Sequence, residues 1–398
     1  MYVNKYLTCS MRNTVYISVI LFSLLLFFIN PTIATITILS YMFVANKKEN
    51  AVWAMVILLL YIWCFQSTRS FSLNEPMDWA NGYYINFSQV EKSSAIRYIW
   101  GEGREYVWQI INLIGYYLFS GDFLHFAFFI VVLTYLFTFL SIYNYWKDNG
   151  NDFRTLLTAL ILIAFFSEFI SIINNLLRQQ FAFSIMLLVI VRRMTTGKIS
   201  WLLLIISLFT HTMVGLFIPF LFINIKRKFT SKQYLKLTIC IFVLHLLLTN
   251  LSIFSSVGIY AFQRLATGNT HNMNDVISVS AVYSFMTVML IFYIKAFFID
   301  KYCESNRMYF NNLMVILMSI CLLLTSLPLF QTRYYILRLF LMPFILPYFF
   351  RNRMLATIYQ TGVCIIFIVR FLKYNYFWFD IDNVLSRNFF QFDLLGLL

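Results

Sequence analysis

Apolar runs of about 15 to 25 residues, long enough to approach or cross the hydrocarbon of a bilayer, recur from one end of this chain to the other. A soluble core would have to hide 61% hydrophobic residues with only 12% charged ones on its surface, where soluble domains carry about 25%. Lipid removes that requirement. Alternating segments of about ten residues, the mark of a membrane β-barrel, are absent. The chain therefore reads as all-α, a polytopic integral membrane protein. Spans are expected near 15–29, 31–45, 51–66, 122–143, 155–171, 176–191, 235–254, 278–299, 310–328, 335–350 and 354–372. With the further apolar stretches 106–120 and 199–224, a single transmembrane domain over 1–398 holds about 11 to 14 transmembrane or re-entrant helices. Lys5 and Arg12 precede the first run and no small-residue cleavage site follows it, which suits a retained signal anchor.

The net charge of +14 resembles a nucleic-acid signature, but its placement excludes that partner. The segments 1–14, 46–50, 192–198, 225–236 and 351–353 carry +2, +1, +3, +5 and +2, whereas 67–105 carries −1 and 255–277 is neutral. Basic loops stay on the cytoplasmic side, so the excess is a topology signal. The loop 67–105 is expected outside. The 45 Phe and 26 Tyr supply interfacial belts. The six cysteines are scattered, with neither metal-ligand spacing nor a disulfide framework.

Two segments break the parity of simple crossings. Segment 199–224 is flanked by Lys198 and by Lys226, Arg227 and Lys228, so both ends belong inside. A re-entrant hairpin of two half-helices meeting near His211 satisfies that, with Pro219 helping to break the run. Such backbone is tolerated at depth where protein buries it or a wet cavity faces it. Segment 106–120 starts outside and is expected to dip without crossing.

In this topology the near-membrane charges Glu168, Arg178 and Arg338 gather toward the outer leaflet, with His211 reaching toward them. Charges in hydrocarbon cost about 2.5 to 3.5 kcal/mol each on insertion scales, which points to a shared hydrated cavity. Arg178 lies in a polar patch, Asn174-Asn175-Leu176-Leu177-Arg178-Gln179-Gln180; the plain alternative is a snorkelling anchor. Arg333, in a short external loop, and Arg338 just inside the next span offer the planar forks that suit a diphosphate. His211 is either a hydrogen-bonded packing residue or a functional group at a helix break. Of the carboxylates in 67–105, Asp78 stands beside Trp79, Tyr83 and Tyr84, and Glu105 beside Tyr106 and Trp108. Rings beside carboxylates suit sugars, and an interfacial belt accounts for the same rings.

No phosphate-cradling glycine loop, serine elbow or His/Cys metal cluster is present. A nucleotide-sugar donor would be needed on the cytoplasmic side, opposite the candidate residues. The donor is therefore expected to be a lipid-linked sugar, with no nucleotide, metal or other cofactor.

The order of these residues resembles the Wzy polymerases of O-antigen and exopolysaccharide synthesis, in particular their EpsG-like branch. An Arg before an external loop, an Asp and a Tyr stand as Arg69, Asp78 and Tyr83. A Glu opening an aromatic segment is Glu105-Tyr106-Val107-Trp108. An Arg-Gln-x-x-Ala element is Arg178-Gln179-Gln180-Phe181-Ala182, and a basic turn with a short apolar run leads to His211. Arg333-Tyr334-Tyr335 resembles a late Arg-Tyr element. This sequence departs from the pattern in having Pro76-Met77 before Asp78, Tyr after Glu105 and Thr after His211.

The resemblance implies a multi-pass, GT-C-like membrane glycosyltransferase of the bacterial inner membrane with its active site facing the periplasm. It implies transfer of a growing glycan from undecaprenyl diphosphate to a new lipid-linked repeat unit. His211, Asp78 and Glu105 are the candidate bases, and Arg178, Arg333 and Arg338 the diphosphate ligands. Arg69, Tyr83, Trp108 and Gln179 are candidate sugar contacts. Expected partners are undecaprenyl-diphosphate-linked glycans, the bilayer, and a chain-length regulator and flippase of the same pathway. The rivals are a flippase for lipid-linked oligosaccharides and an O-antigen ligase. A flippase would be expected to show paired repeats with interrupted helices in both halves, and none is visible in the sequence.

Overall fold

The computed structural model describes residues 25–69, 79–101, 105–150, 152–223, 230–249, 305–324, 328–350, 352–374 and 387–391, with a few isolated positions besides. Among them the structure is helical and contains no β-strand. Most of the spans expected at 278–299 and 15–29, and Asp78, lie outside the described residues. The chain divides into two units, residues 1–217 with 357–398, and residues 218–356.

In the first unit, α1 (Pro31–Ala45) starts where Asn30 caps it by accepting the Ile33 N–H at 3.0 Å, with Pro31 in the first turn. It ends at Asn46 in the left-handed conformation. α2 (Ala51–Gln66) follows. The polar segment 67–105, expected as a loop, is largely helical where described. A π-helical turn, Trp79–Tyr84, leads into α3 (Ile85–Lys92), and α4 (Ala95–Gly101) follows. α3 and α4 both pack against α5 (Tyr106–Leu118). At 13 residues α5 is about 20 Å long, short of the ~30 Å hydrocarbon core. A left-handed turn at Ser120 and Gly121 reverses the chain into α6 (Phe123–Asn149), capped by Asp122 through the Leu124 and His125 amides. α5 and α6 approach so closely that a Cβ at Gly115 would run into the Phe126 ring.

The single span expected at 155–171 is two helices, α7 (Phe153–Ala164) and α8 (Ser167–Asn175), bent by 53° at Phe165-Phe166. α9 (Leu177–Thr196) begins one residue after α8 ends, at a sharp corner on Leu176. α9 is the central helix. Its residues from Gln179 to Val191 are all buried, and its most extensive packing is along α6. A helix buried all round, mostly apolar between arginines at its two ends, is one that protein surrounds on every side. Gly197 in the left-handed conformation ends it, and α10 (Trp201–Thr210) returns along it.

The second unit contains α11 (Ile218–Phe222), α12 (Ser231–Thr249), α13 (Ser305–Leu323) and α14 (Pro328–Leu341). Buried Asn312 knits it together, donating to the Ile225 carbonyl at 2.6 Å and accepting from the Tyr234 hydroxyl at 3.2 Å. The span expected at 335–350 is not one helix. α14 starts earlier, at Pro328, and gives way after Leu341 to two short 3-10 turns, Met342–Phe344 and Leu346–Tyr348. Pro343 and Pro347 remove the amides an α-helix would need there. The stretch 329–334, expected as a loop, lies within α14.

α15 (Arg353–Lys373) closes the first unit. Gln360 donates to Thr155 at 3.0 Å, and the Phe371 ring packs on Tyr61, Phe65 and Phe165. Its opposite face exposes Ile358, Ile365, Ile366 and Val369. Among the described residues, three helices are long and apolar enough to cross a membrane, Lys48–Gln66, Phe123–Asn149 and Arg353–Lys373, and the bent α7–α8 pair adds a fourth candidate. The protein is an all-α polytopic membrane protein.

Candidate active site

Three helix ends of the first unit supply the charged centre. Glu105 is the residue before α5, Arg178 the second residue of α9, and His211 the residue after α10. Glu105 Oε2 lies 2.5 Å from Arg178 Nη1. Its other oxygen, Oε1, accepts the Thr212 N–H at 3.4 Å and stands 3.7 Å from His211 Nδ1. One carboxylate thus gathers a guanidinium, an imidazole and a backbone amide from separate elements.

The local sequence shows why the chain holds this shape. An arginine in the first turn of a helix opposes the helix dipole, and the Glu105 carboxylate offsets that cost. At His211 the backbone turns extended, with φ −155° and ψ 120°. Its own N–H still closes α10 on the Ser207 carbonyl at 3.1 Å. Beyond it the 3-10 helix Thr212–Phe217 begins. The first two amides of that turn would otherwise lack acceptors; Glu105 takes Thr212 and His211 Nδ1 takes Met213 at 3.2 Å. Ser207 Oγ donates to the Ala182 carbonyl at 2.8 Å and ties α10 to α9.

Arg69 is buried and donates through Nη1 to the carbonyl and Oδ1 of Asn174, at 3.4 and 3.3 Å. It therefore braces the α8–α9 corner from which Arg178 projects. Gln179 and Gln180 are buried on α9. Neither amide atom of Gln180 has a hydrogen-bond partner among the described residues, nor has the Trp108 indole N–H or Arg178 Nε. Buried polar atoms are rarely left so.

Trp108 is fully buried and Tyr83 nearly so, their rings 6.0 Å apart and edge to face. They are core rings here. The open aromatic faces beside Glu105 belong to a row of which the sequence pointed only to Tyr106. Trp100, 68% exposed, lies 4.9 Å from Tyr106, and Tyr106 lies 6.3 Å from Phe209. Trp100 lay hidden because nothing in the sequence shows that α4 folds back on α5.

Glu168, expected to gather with Arg178 toward the outer leaflet, pairs with Arg370 of α15 and accepts from Ser167 Oγ at 3.0 Å. The carboxylate of Arg178 is Glu105. In the second unit, Arg333 and Arg338 both lie on α14. Five residues apart on a helix, they project about 140° from one another. The Arg338 guanidinium lies over the Tyr335 ring, 4.0 Å from its centre.

No curated protein and no solved structure matches the chain. The EpsG family matches it over residues 70–392, well over half of its length and inclusive of every residue of the Glu105–Arg178–His211 centre. The chain belongs to the EpsG family.

Proposed function

We propose that this protein is a membrane glycosyltransferase that polymerises lipid-linked oligosaccharide repeat units into a surface polysaccharide. The substrate is a growing glycan on undecaprenyl diphosphate, and the acceptor is the terminal sugar of the next lipid-linked unit. The observation that carries this is the gathering of Arg178 and His211 on Glu105 at a helix break. Family membership supports the same class of activity.

In the reaction the bond between the anomeric carbon and the diphosphate oxygen breaks, and its electron pair leaves with undecaprenyl diphosphate. An acceptor hydroxyl oxygen bonds that carbon, and its proton passes to a base. Negative charge grows on the leaving group, so a fixed guanidinium acts most strongly in the transition state. Arg178 supplies that contact. The base comes from Asp78, Glu105 or His211. Trp100 and Tyr106 offer open ring faces beside the centre for a sugar. The site faces the periplasm, on the side opposite the basic loops. The chemistry assigned to these residues calls for no metal or nucleotide.

Deletion followed by measurement of surface glycan length tests the assignment. Loss of long chains with single-unit product retained is the expected result. Loss of all glycan would point to a flippase or a ligase.

A further inference from the structure

One face of α15 runs past the bend between α7 and α8. On α7, Gln360 and Cys364 donate to the hydroxyls of Thr155 and Thr158, at 3.0 and 3.7 Å. At the bend, the Phe371 ring meets Phe165 and the Phe367 ring meets Phe166, edge to face with centres 5.2 and 5.0 Å apart. On α8, Glu168 pairs with Arg370. Positions 360, 364, 367 and 371 recur at helical spacing, so one unbroken helix splints two that diverge by 53°.

The outer end of this splint is an ion pair in which each charge suits its own helix. Glu168 lies in the first turn of α8 and Arg370 in the last turn of α15, where helix dipoles favour an anion and a cation respectively. α8 is nine residues long, about 13 Å. Its far end is held by Arg69, which donates to the carbonyl and side chain of Asn174. An arginine from another element thus secures each end of α8. Arg178 follows three residues after Asn175, beyond the corner at Leu176. Among the described residues Arg370 makes no ion pair or hydrogen bond with Glu105, Arg178 or His211, so its influence on them runs through α8.

We propose that Arg370 is a positioning residue for Arg178. By holding Glu168 it fixes the start of α8, and with Arg69 at the other end it sets where the Arg178 guanidinium meets the leaving diphosphate. The proposal rests on the polymerase assignment above and adds to it a residue outside the charged centre. A guanidinium that stabilises a transition state is sensitive to small displacements, so a tie remote from the chemistry acts on rate.

Arg370→Gln, Glu168→Gln and the double variant test this in membrane-reconstituted protein extending lipid-linked repeat units. The two side chains are 52% and 31% exposed, so the substitutions are expected to leave protein abundance unchanged. Each single variant should lower kcat by about tenfold or more while KM for the lipid-linked unit stays within about twofold. The double variant should be no worse than either single one, because the pair acts as a unit. Amide hydrogen exchange adds a readout free of activity. Residues 167–180 should exchange faster in Arg370→Gln than in wild type, while α6 stays protected. Wild-type kcat with faster exchange would leave the pair a structural tie alone. A raised KM with kcat unchanged would place Arg370 on the substrate itself. Additive losses in the double variant would separate the two residues, and unaltered exchange across 167–180 would show that α8 does not depend on Arg370. Each of these results overturns the proposal. A wild-type protein that forms no polymer would instead overturn the polymerase assignment, while exchange would still decide whether Arg370 holds α8.

Discussion

Glu105 Oε2 and Arg178 Nη1 meet at 2.5 Å across two helix starts that the sequence holds far apart. The pair fixes the guanidinium in one place and leaves other N–H donors of Arg178 for a ligand. Its two side chains are 29% and 16% exposed, so water screens it only in part. Removing Glu105 is expected to lower stability by about 1 to 2 kcal/mol, between the values for exposed and buried pairs. Arg178→Lys keeps the charge and loses the planar fork. It should retain the protein at wild-type abundance while polymerisation falls by about tenfold or more. Full activity in Arg178→Lys would show that a point charge suffices.

Arg69 braces the corner through Asn174 and is expected to act through it, without touching substrate. Arg69→Ala frees Asn174 and should let the start of α9 shift. A displacement of about 1 Å can cost roughly a hundredfold in rate. Asn174→Asp keeps an acceptor for the Arg69 guanidinium but loses the donor to the Ile170 carbonyl, so it should lose less activity than Arg69→Ala. Comparing chain-length ladders of the two variants at equal abundance checks this. Equal loss in both would assign Asn174 a direct role.

Topology gives a test that involves no chemistry. From the loop charges, 192–198 and 225–236 are expected in the cytoplasm and 67–105 outside. Cysteines introduced at Lys92, Lys198 and Lys226 should label from outside only at Lys92. External labelling at Lys226 would break the expected return of 199–224 to the cytoplasmic side.

Much of the fold was legible because hydropathy is a local signal. The runs at 31–45 and 51–66 became α1 and α2 with the same bounds, and 354–372 became α15. Pro343 and Pro347 could have warned that 335–350 would not stay helical. The bend at Phe165-Phe166 has no glycine or proline to announce it and arises from packing. The polarity of 67–105 suggested a loop because α3 and α4 need only one buried stripe each, such as Phe87 and Val90 on α3. Within the site, the residue types of Glu105, Arg178 and His211 marked them as candidates, and the break at His211 was expected from loop charges. Their pairing was not legible, since it depends on how α5 and α10 lie against each other. The partner of Glu168 was hidden for the same reason: it is ten residues from Arg178 in sequence, yet its ion pair is with Arg370 of α15.

The most direct test is reconstitution. Purified protein in bilayers, supplied only with undecaprenyl-diphosphate-linked repeat units, should produce a ladder of glycans of increasing length and release undecaprenyl diphosphate. The Arg178→Ala variant, at equal abundance and with the same fold by circular dichroism, should leave the single units unextended. A wild-type protein that forms no ladder, or an Arg178→Ala ladder indistinguishable from wild type, would contradict the account.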